Sequence, residues 1–145
     1  MNITDQVFEP FNTFCMQTAH LSPKQKLNNE LDKTIFLTEA LIEQCNNDWK
    51  VNSLENNRSV YTQLEYEVGR TYIKVWSYLK NTDSVMQVDE RLNGRSCFMF
   101  IDKYSGAVYK PASYKAPAKG IRFWINQLAD NPDLCDPYGS FLYRS

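Results

Sequence analysis

The chain has 145 residues, 43% of them hydrophobic and 14% aromatic, which excludes a disordered polypeptide and sets the expectation of one domain over residues 1–145. No apolar run approaches the roughly 20 residues that a membrane-spanning helix needs. The opening Met1-Asn2-Ile3-Thr4-Asp5 lacks the basic-then-apolar pattern of a signal peptide, so the expectation is an intracellular protein that is not secreted and has no membrane partner. The formal net charge of −1 hides an asymmetry: residues 1–57 carry four lysines against eight acids, whereas residues 103–123 carry Lys103, Lys110, Lys115, Lys119 and Arg122 and no acid.

In chain order, Phe8, Phe11, Phe14 and Cys15 suggest a short helix after Pro10. Ser22-Pro23-Lys24-Gln25 is a helix start, with Ser22 as N-cap, Pro23 at the first helical position and Gln25 closing a capping box. The helix is expected over residues 23–46. Leu27, Leu31, Ile35, Ile42, Cys45 and Trp49 recur at helical spacing, and Glu30, Lys33 and Glu43 fall on the wet side. The polar run at residues 54–59, LENNRS, reads as a linker and closes a helical N-terminal part over residues 1–57.

From Val60 the period changes to two. Val60, Thr62, Leu64, Tyr66 and Val68 share one face of a strand, and Tyr61, Gln63, Glu65 and Glu67 the other. Gly69-Arg70 is expected as a hairpin turn with the glycine at positive φ. A second strand over residues 71–79 places Ile73, Val75 and Leu79 on one face and Tyr72, Lys74, Trp76 and Tyr78 on the other. These aromatics read as core, although the same row would also serve as a stacking platform. Residues 96–102 form a third strand and residues 107–110 a fourth, joined by a turn with Gly106 in the left-handed position. Pro111 is expected to end the pairing, and Gly120 to introduce a short helix over residues 121–129 with Ile121, Trp124, Ile125 and Leu128 inward. The turn-rich residues 131–140 lead to Phe141 and Leu142, which dock at the end. The expected fold class is α+β: N-terminal helices on a small antiparallel sheet of about four strands, with a short C-terminal helix.

Catalytic signals are sparse. Cys15, Cys45, Cys97 and Cys135 have neither C-x-x-C spacing nor a histidine beside them, so they read as reduced thiols and no metal is expected. The single histidine, His20, precedes a helix start and reads as a surface or capping residue. Glu65, Glu67 and Asp102 are the carboxylates that a small metal-dependent enzyme would use, but Glu65 and Glu67 fall on the face expected to be solvated. No phosphate-binding glycine motif and no nucleophile elbow is present. The expectation is a protein that is not an enzyme and carries no cofactor.

The segment VYKPASYKAPAKGIRFW, residues 108–124, has more content. Its prolines disfavour helix, its lysines suit phosphates, and its tyrosines suit stacking on bases. The expected nucleic-acid-binding residues are Lys110, Lys115, Lys119, Arg122, Tyr109 and Tyr114, on an extended, exposed strap. The same segment, DKYSGAVYKPASYKAPAKGIR over residues 102–122, resembles one found in small uncharacterised proteins of tailed bacteriophages. Those carry a D-K-x-x-G turn followed by Tyr-Lys-Pro-Ala-Ser, an aromatic and Lys-Ala-Pro-Ala-Lys, with Tyr114 at the aromatic position here. The resemblance implies a viral source, with the host cytoplasm or the virion as location. The leading expectation is a phage-encoded binding protein that meets DNA or RNA. The alternative is a protein–protein module, either a minor virion component or an inhibitor of a host protein, with a phage or host protein as partner. A small metal-dependent enzyme comes third.

Overall fold

The structure, a computed structural model, describes residues 23–82 and 94–143. The helix expected after Pro10, the Ser22 cap, His20 and Cys15 lie outside the described residues. The described chain runs α1 (Pro23–Glu55), β1 (Val60–Val68), β2 (Tyr72–Asn81), β3 (Ser96–Asp102), β4 (Ala107–Tyr109), β5 (Phe123–Trp124) and α2 (Ile125–Asp130), followed by two short 3-10 turns at Pro132–Leu134 and Ser140–Tyr143. The five strands form one antiparallel sheet in the order of the sequence. The fold class is α+β, with a long helix on the sheet and a short helix near the C-terminus.

Helix α1 extends nine residues past the expected end at 46. Its buried stripe includes Thr34, Leu37, Thr38, Leu41, Cys45 and Ser53, so polar residues carry part of the inward face. Two of them bury without an orphaned hydroxyl: Thr34 donates to the Glu30 carbonyl at 2.9 Å and Thr38 to the Thr34 carbonyl at 2.8 Å. Trp49 packs against the core and prolongs the stripe. The helix ends when Asn57 enters the left-handed region at φ 55°. Arg58 N–H then donates to the Ser53 carbonyl and Asn57 N–H to the Leu54 carbonyl, the pattern of a Schellman cap with asparagine in the usual glycine position.

One side chain registers α1 on the sheet edge. Asn46 Nδ2 donates to the Leu64 carbonyl at 3.0 Å, and Leu64 N–H donates to Asn46 Oδ1 at 2.7 Å. The amide thus takes the place of a neighbouring strand at one position of β1, satisfying an edge that otherwise invites pairing with another chain.

The β1–β2 hairpin closes with Gly69 N–H on the Tyr72 carbonyl at 2.8 Å, so Arg70 and Thr71 are the two turn residues. Gly69 is not at positive φ, contrary to the sequence expectation. Glycine suits the site for space, since a Cβ there would lie 2.9 Å from the Tyr72 carbonyl oxygen. Gly106 does occupy the left-handed region, at φ 79°, in a turn that Asp102 Oδ1 holds by accepting from Tyr104 N–H and Ser105 N–H.

Strands β2 and β3 are apolar on both faces. Leu64, Ile73, Val75, Met99, Ile101 and Val108 form the core with Leu37, Leu41, Ile125, Leu128, Phe141 and Leu142. Trp76, Tyr78 and Phe100 are buried on the opposite face. A bulge separates Val75↔Met99 from Trp76↔Cys97, leaving Phe98 as the extra residue. Phe98 joins the core, with ring centroids 6.1 Å from Trp49 and 5.8 Å from Phe141.

The fifth strand is a departure from the sequence reading, which placed residues 121–124 in the C-terminal helix. Ala107↔Trp124 and Val108↔Phe123 pair instead, and α2 begins only at Ile125. Ile125 and Leu128 are buried as expected, whereas Ile121 and Trp124 stay exposed. The tail docks through Phe141 and Leu142, and Asp136 organises its turn. Its carboxylate accepts from Tyr138 N–H, Ser140 N–H, Phe141 N–H and the Ser140 hydroxyl.

Two outcomes are expected. Asn46→Ala removes both edge bonds and costs about 1–3 kcal/mol of unfolding free energy in chemical denaturation, because the Leu64 groups lose their partner. Partial burial opposes ionisation of Asp136, but the bonds from Ser140, Tyr138 and Phe141 prevail and hold its carboxyl below the ordinary range. A lowered folded pKa contributes stability that is present above the unfolded value of about 3.9 and is lost as the pH falls through the folded value. Asp136→Asn should therefore destabilise the protein at neutral pH and flatten the acid limb of its stability profile, read from denaturation midpoints between about pH 2 and 6.

Candidate nucleic-acid interface

The basic residues lie on the connection between β4 and β5, and that connection is folded rather than extended. Ala118 N–H donates to the Lys110 carbonyl at 2.9 Å, and Ala112 N–H and Ser113 N–H donate to the Ala116 carbonyl. Pro111 and Pro117 face one another in a bridge. Pro111 therefore does not end the pairing: the missing proline donors fall where none is needed, and Ala112 and Ala118 supply the N–H groups. The arm has its apex at Tyr114 and Lys115, where Lys115 N–H donates to Ser113 Oγ at 3.1 Å.

The arm is asymmetric. Two residues separate Val108 from Pro111 on the way out, and five separate Pro117 from Phe123 on the return. Pairing resumes where Arg122 N–H donates to the Val108 carbonyl at 2.7 Å, so Lys119, Gly120 and Ile121 bulge out of the ladder.

Lys74 ties this arm to the sheet. Its ammonium lies 5.0 Å from the Trp76 ring centroid and 5.3 Å from that of Phe100, and it donates to the Tyr114 carbonyl at 2.5 Å. A cation over two rings with a carbonyl as acceptor is a satisfied charge. Beside it, Arg95 stacks 4.1 Å from the centroid of Trp76, and Trp76 Nε1–H donates to Glu67 at 2.9 Å.

The predicted site residues have different surroundings. Tyr114 is 60% exposed, and the Lys115 ammonium lies 5.5 Å from its ring centroid. Lys119 is exposed on the bulge. Lys110 is half-buried and holds its ammonium 4.9 Å from the centroid of Tyr143. Arg122 is half-buried, and its Nε is closed to water without a hydrogen-bond partner. Tyr109 is half-buried and meets Tyr72 edge to face at 6.0 Å. Burial, with Tyr72 and Asp102 nearby, raises its pKa and keeps the phenol neutral. Five of the six thus stand on one arm, while Tyr109 is packed at its base. Among the described residues none of Lys110, Lys115, Lys119 and Arg122 forms an ion pair; the ion pairs seen there join Arg95 to Glu65 and Glu67.

Sequence reasoning placed Lys74 in the aromatic row of β2 without connecting it to the arm, and it did not single out Tyr143. A lysine alternating with aromatics along a strand was the available signal for the first. Nothing in the sequence places Tyr143 against Lys110.

The carboxylates of the metal reading are used otherwise. Glu65 and Glu67 face Arg95 and Trp76, Asp102 holds the turn after β3, and among the described residues no group of three metal-binding side chains occurs. Neither Cys97 nor Cys135 is activated. Burial pushes Cys97 up to about 11 although Lys74 pulls the other way. A hydrogen bond with Cys45, and then burial, raises Cys135. Both stay protonated at neutral pH, the inert form of cysteine.

A family profile matches residues 11–144, described as a family of unknown function, DUF7717. The chain belongs to this family. The match takes in α1, the whole sheet and the basic arm, so the helical part and the strand-rich part fall within one family unit. No curated protein and no solved structure gives a significant match.

Replacing Lys74 tests the tether. Lys74→Met removes the cation and the bond to Tyr114, and cleavage after Lys115 and Lys119 by a lysine-specific protease should accelerate several-fold while the far-ultraviolet dichroism is retained. An unchanged cleavage rate would mean that the arm is held without Lys74.

Proposed function

We propose that this protein is a phage-encoded, non-enzymatic binding protein whose β4–β5 arm meets nucleic acid. One observation carries the reading: Lys110, Lys115, Lys119 and Arg122 stand on one short arm, and among the described residues no carboxylate pairs with any of them. Unneutralised charge of one sign is the electrostatic footprint of a polyanion partner. The arm is pinned by backbone bonds, two prolines and Lys74, so little conformational entropy is lost when it docks. In this reading Lys115 and Lys119 meet phosphates, Lys110 and Arg122 do so nearer the sheet, and Tyr114 offers its ring to a base. Tyr109 supports the base of the arm from its place against Tyr72. Protonated thiols and engaged carboxylates fit a binding role better than catalysis.

A second reading, a protein–protein module, draws on α1. That helix exposes Phe36 and Leu54 and carries six acids against four lysines.

Binding to labelled DNA and RNA, measured against salt, tests the proposal. If four charges contact a single strand, log K falls against log salt with a slope near −3. The double variant Lys115→Ala/Lys119→Ala should bind more weakly and bring that slope to about −1.4. Tyr114→Ala should cost about 1–3 kcal/mol with little change in slope. Absence of binding to DNA and RNA at low salt would overturn the reading and favour the protein–protein module.

A further inference from the structure

Two aromatic rings accompany the basic arm, and only one of them belongs to it. Tyr114 at the apex is 60% exposed with Lys115 beside it, and Tyr143 is 58% exposed with Lys110 beside it. Tyr143 comes from the 3-10 turn after α2, and burial of Phe141 and Leu142 just before it anchors the backbone that presents it. Among the described residues its hydroxyl meets no hydrogen-bond partner. A large ring held in water beside a cation places apolar surface where intramolecular packing does not use it. Arg122 adds an independent sign. Among the described residues no hydrogen-bond or ion-pair partner meets its side chain, and its Nε is shut off from solvent. An anion is the partner that a guanidinium takes most readily, and of this half-buried side chain Nε alone is closed off, which leaves the terminal N–H groups to receive one.

We infer that Tyr143 and Lys110 form a second stacking step at the base of the arm, and that the occupant is a single-stranded nucleic acid with one base on Tyr114, another on Tyr143 and a phosphate on Arg122. This rests on the nucleic-acid reading above and narrows it. A duplex keeps its base faces stacked inside, so the two exposed rings would add nothing to duplex binding, whereas unpaired bases use both. A lysine beside each ring serves the adjoining phosphate, which couples charge to stacking at both steps.

The probes are a labelled oligothymidylate of about 12 nucleotides, long enough for a single-strand site, and a duplex of equal length. Wild type should bind the single strand at least about ten-fold more tightly than the duplex. Tyr143→Leu should weaken single-strand binding about ten-fold with the salt slope unchanged, and Tyr143→Phe should restore it, because the ring and not the hydroxyl stacks. Tyr138→Leu, at an exposed tyrosine over whose ring no cation of the described residues lies, serves as the control and should bind as wild type. Arg122→Gln is the second arm should Tyr143→Leu lose its fold: it should lower the slope by about 0.7, the equivalent of one phosphate contact.

Equal affinity for duplex and single strand overturns the inference. So does a folded Tyr143→Leu that binds like wild type, or an Arg122→Gln whose slope is unchanged. If Lys115→Ala/Lys119→Ala is weakened in the same assay, the broader nucleic-acid reading stands without the second stacking step. If wild type binds neither probe, both readings fall together.

Discussion

A sheet whose central strands are apolar on both faces must be covered on both. In β2 and β3, Ile73, Val75, Met99 and Ile101 face one way, and Trp76, Tyr78 and Phe100 are buried on the other. Helix α1 answers the first demand with a stripe long enough to run from Thr34 to Ser53. On the second face, Lys74 and Arg95 lie over the rings and let a charged surface sit directly on an aromatic layer. Each cation keeps a polar partner, the Tyr114 carbonyl for Lys74 and Glu65 for Arg95. Burial of the rings and retention of the charges are therefore compatible.

That arrangement also positions the basic arm. Lys74 reaches from the second face of the sheet to the carbonyl at the arm's apex, so the aromatic layer and the arm hold each other. The arm's own ladder works because its prolines fall where no donor is required. The three-residue excess on the return strand then throws Lys119 outward while Arg122 rejoins β4. The result is a hydrogen-bonded projection with its charges spread along it. The family match over residues 11–144 takes in helix, sheet and arm together.

Much of this was readable from local chemistry. The change of hydrophobic period at Val60, the boundaries of β3 and the turn at Gly106 follow from side-chain alternation and from the one residue that accepts positive φ without strain. The concentration of cations over residues 103–123 is a property of the sequence itself. The end of α1 was misplaced because Thr34, Thr38 and Ser53 are polar by type yet buried, two of them having their hydroxyls on helix carbonyls. Residues 121–124 read as helix because Ile121, Trp124, Ile125 and Leu128 happen to recur at helical spacing. Pairing with Ala107 and Val108 outweighed that pattern, since β4 offers backbone partners that an isolated short helix lacks.

What the sequence by itself determined is therefore the inventory: a long helix, an alternating-strand sheet, cysteines without metal spacing, and one stretch of cations interleaved with aromatics and prolines. Only the tertiary structure decided how that stretch is shaped and which groups surround it. The Ala112 and Ala118 hydrogen bonds close it into an arm, Lys74 fastens it from 40 residues away, Tyr109 is drawn against Tyr72, and Tyr143 arrives from the end of the described chain to stand beside Lys110. These contacts join residues far apart in sequence, and local spacing carries no record of them. They are selected by packing and by the need of each buried donor and charge for a partner.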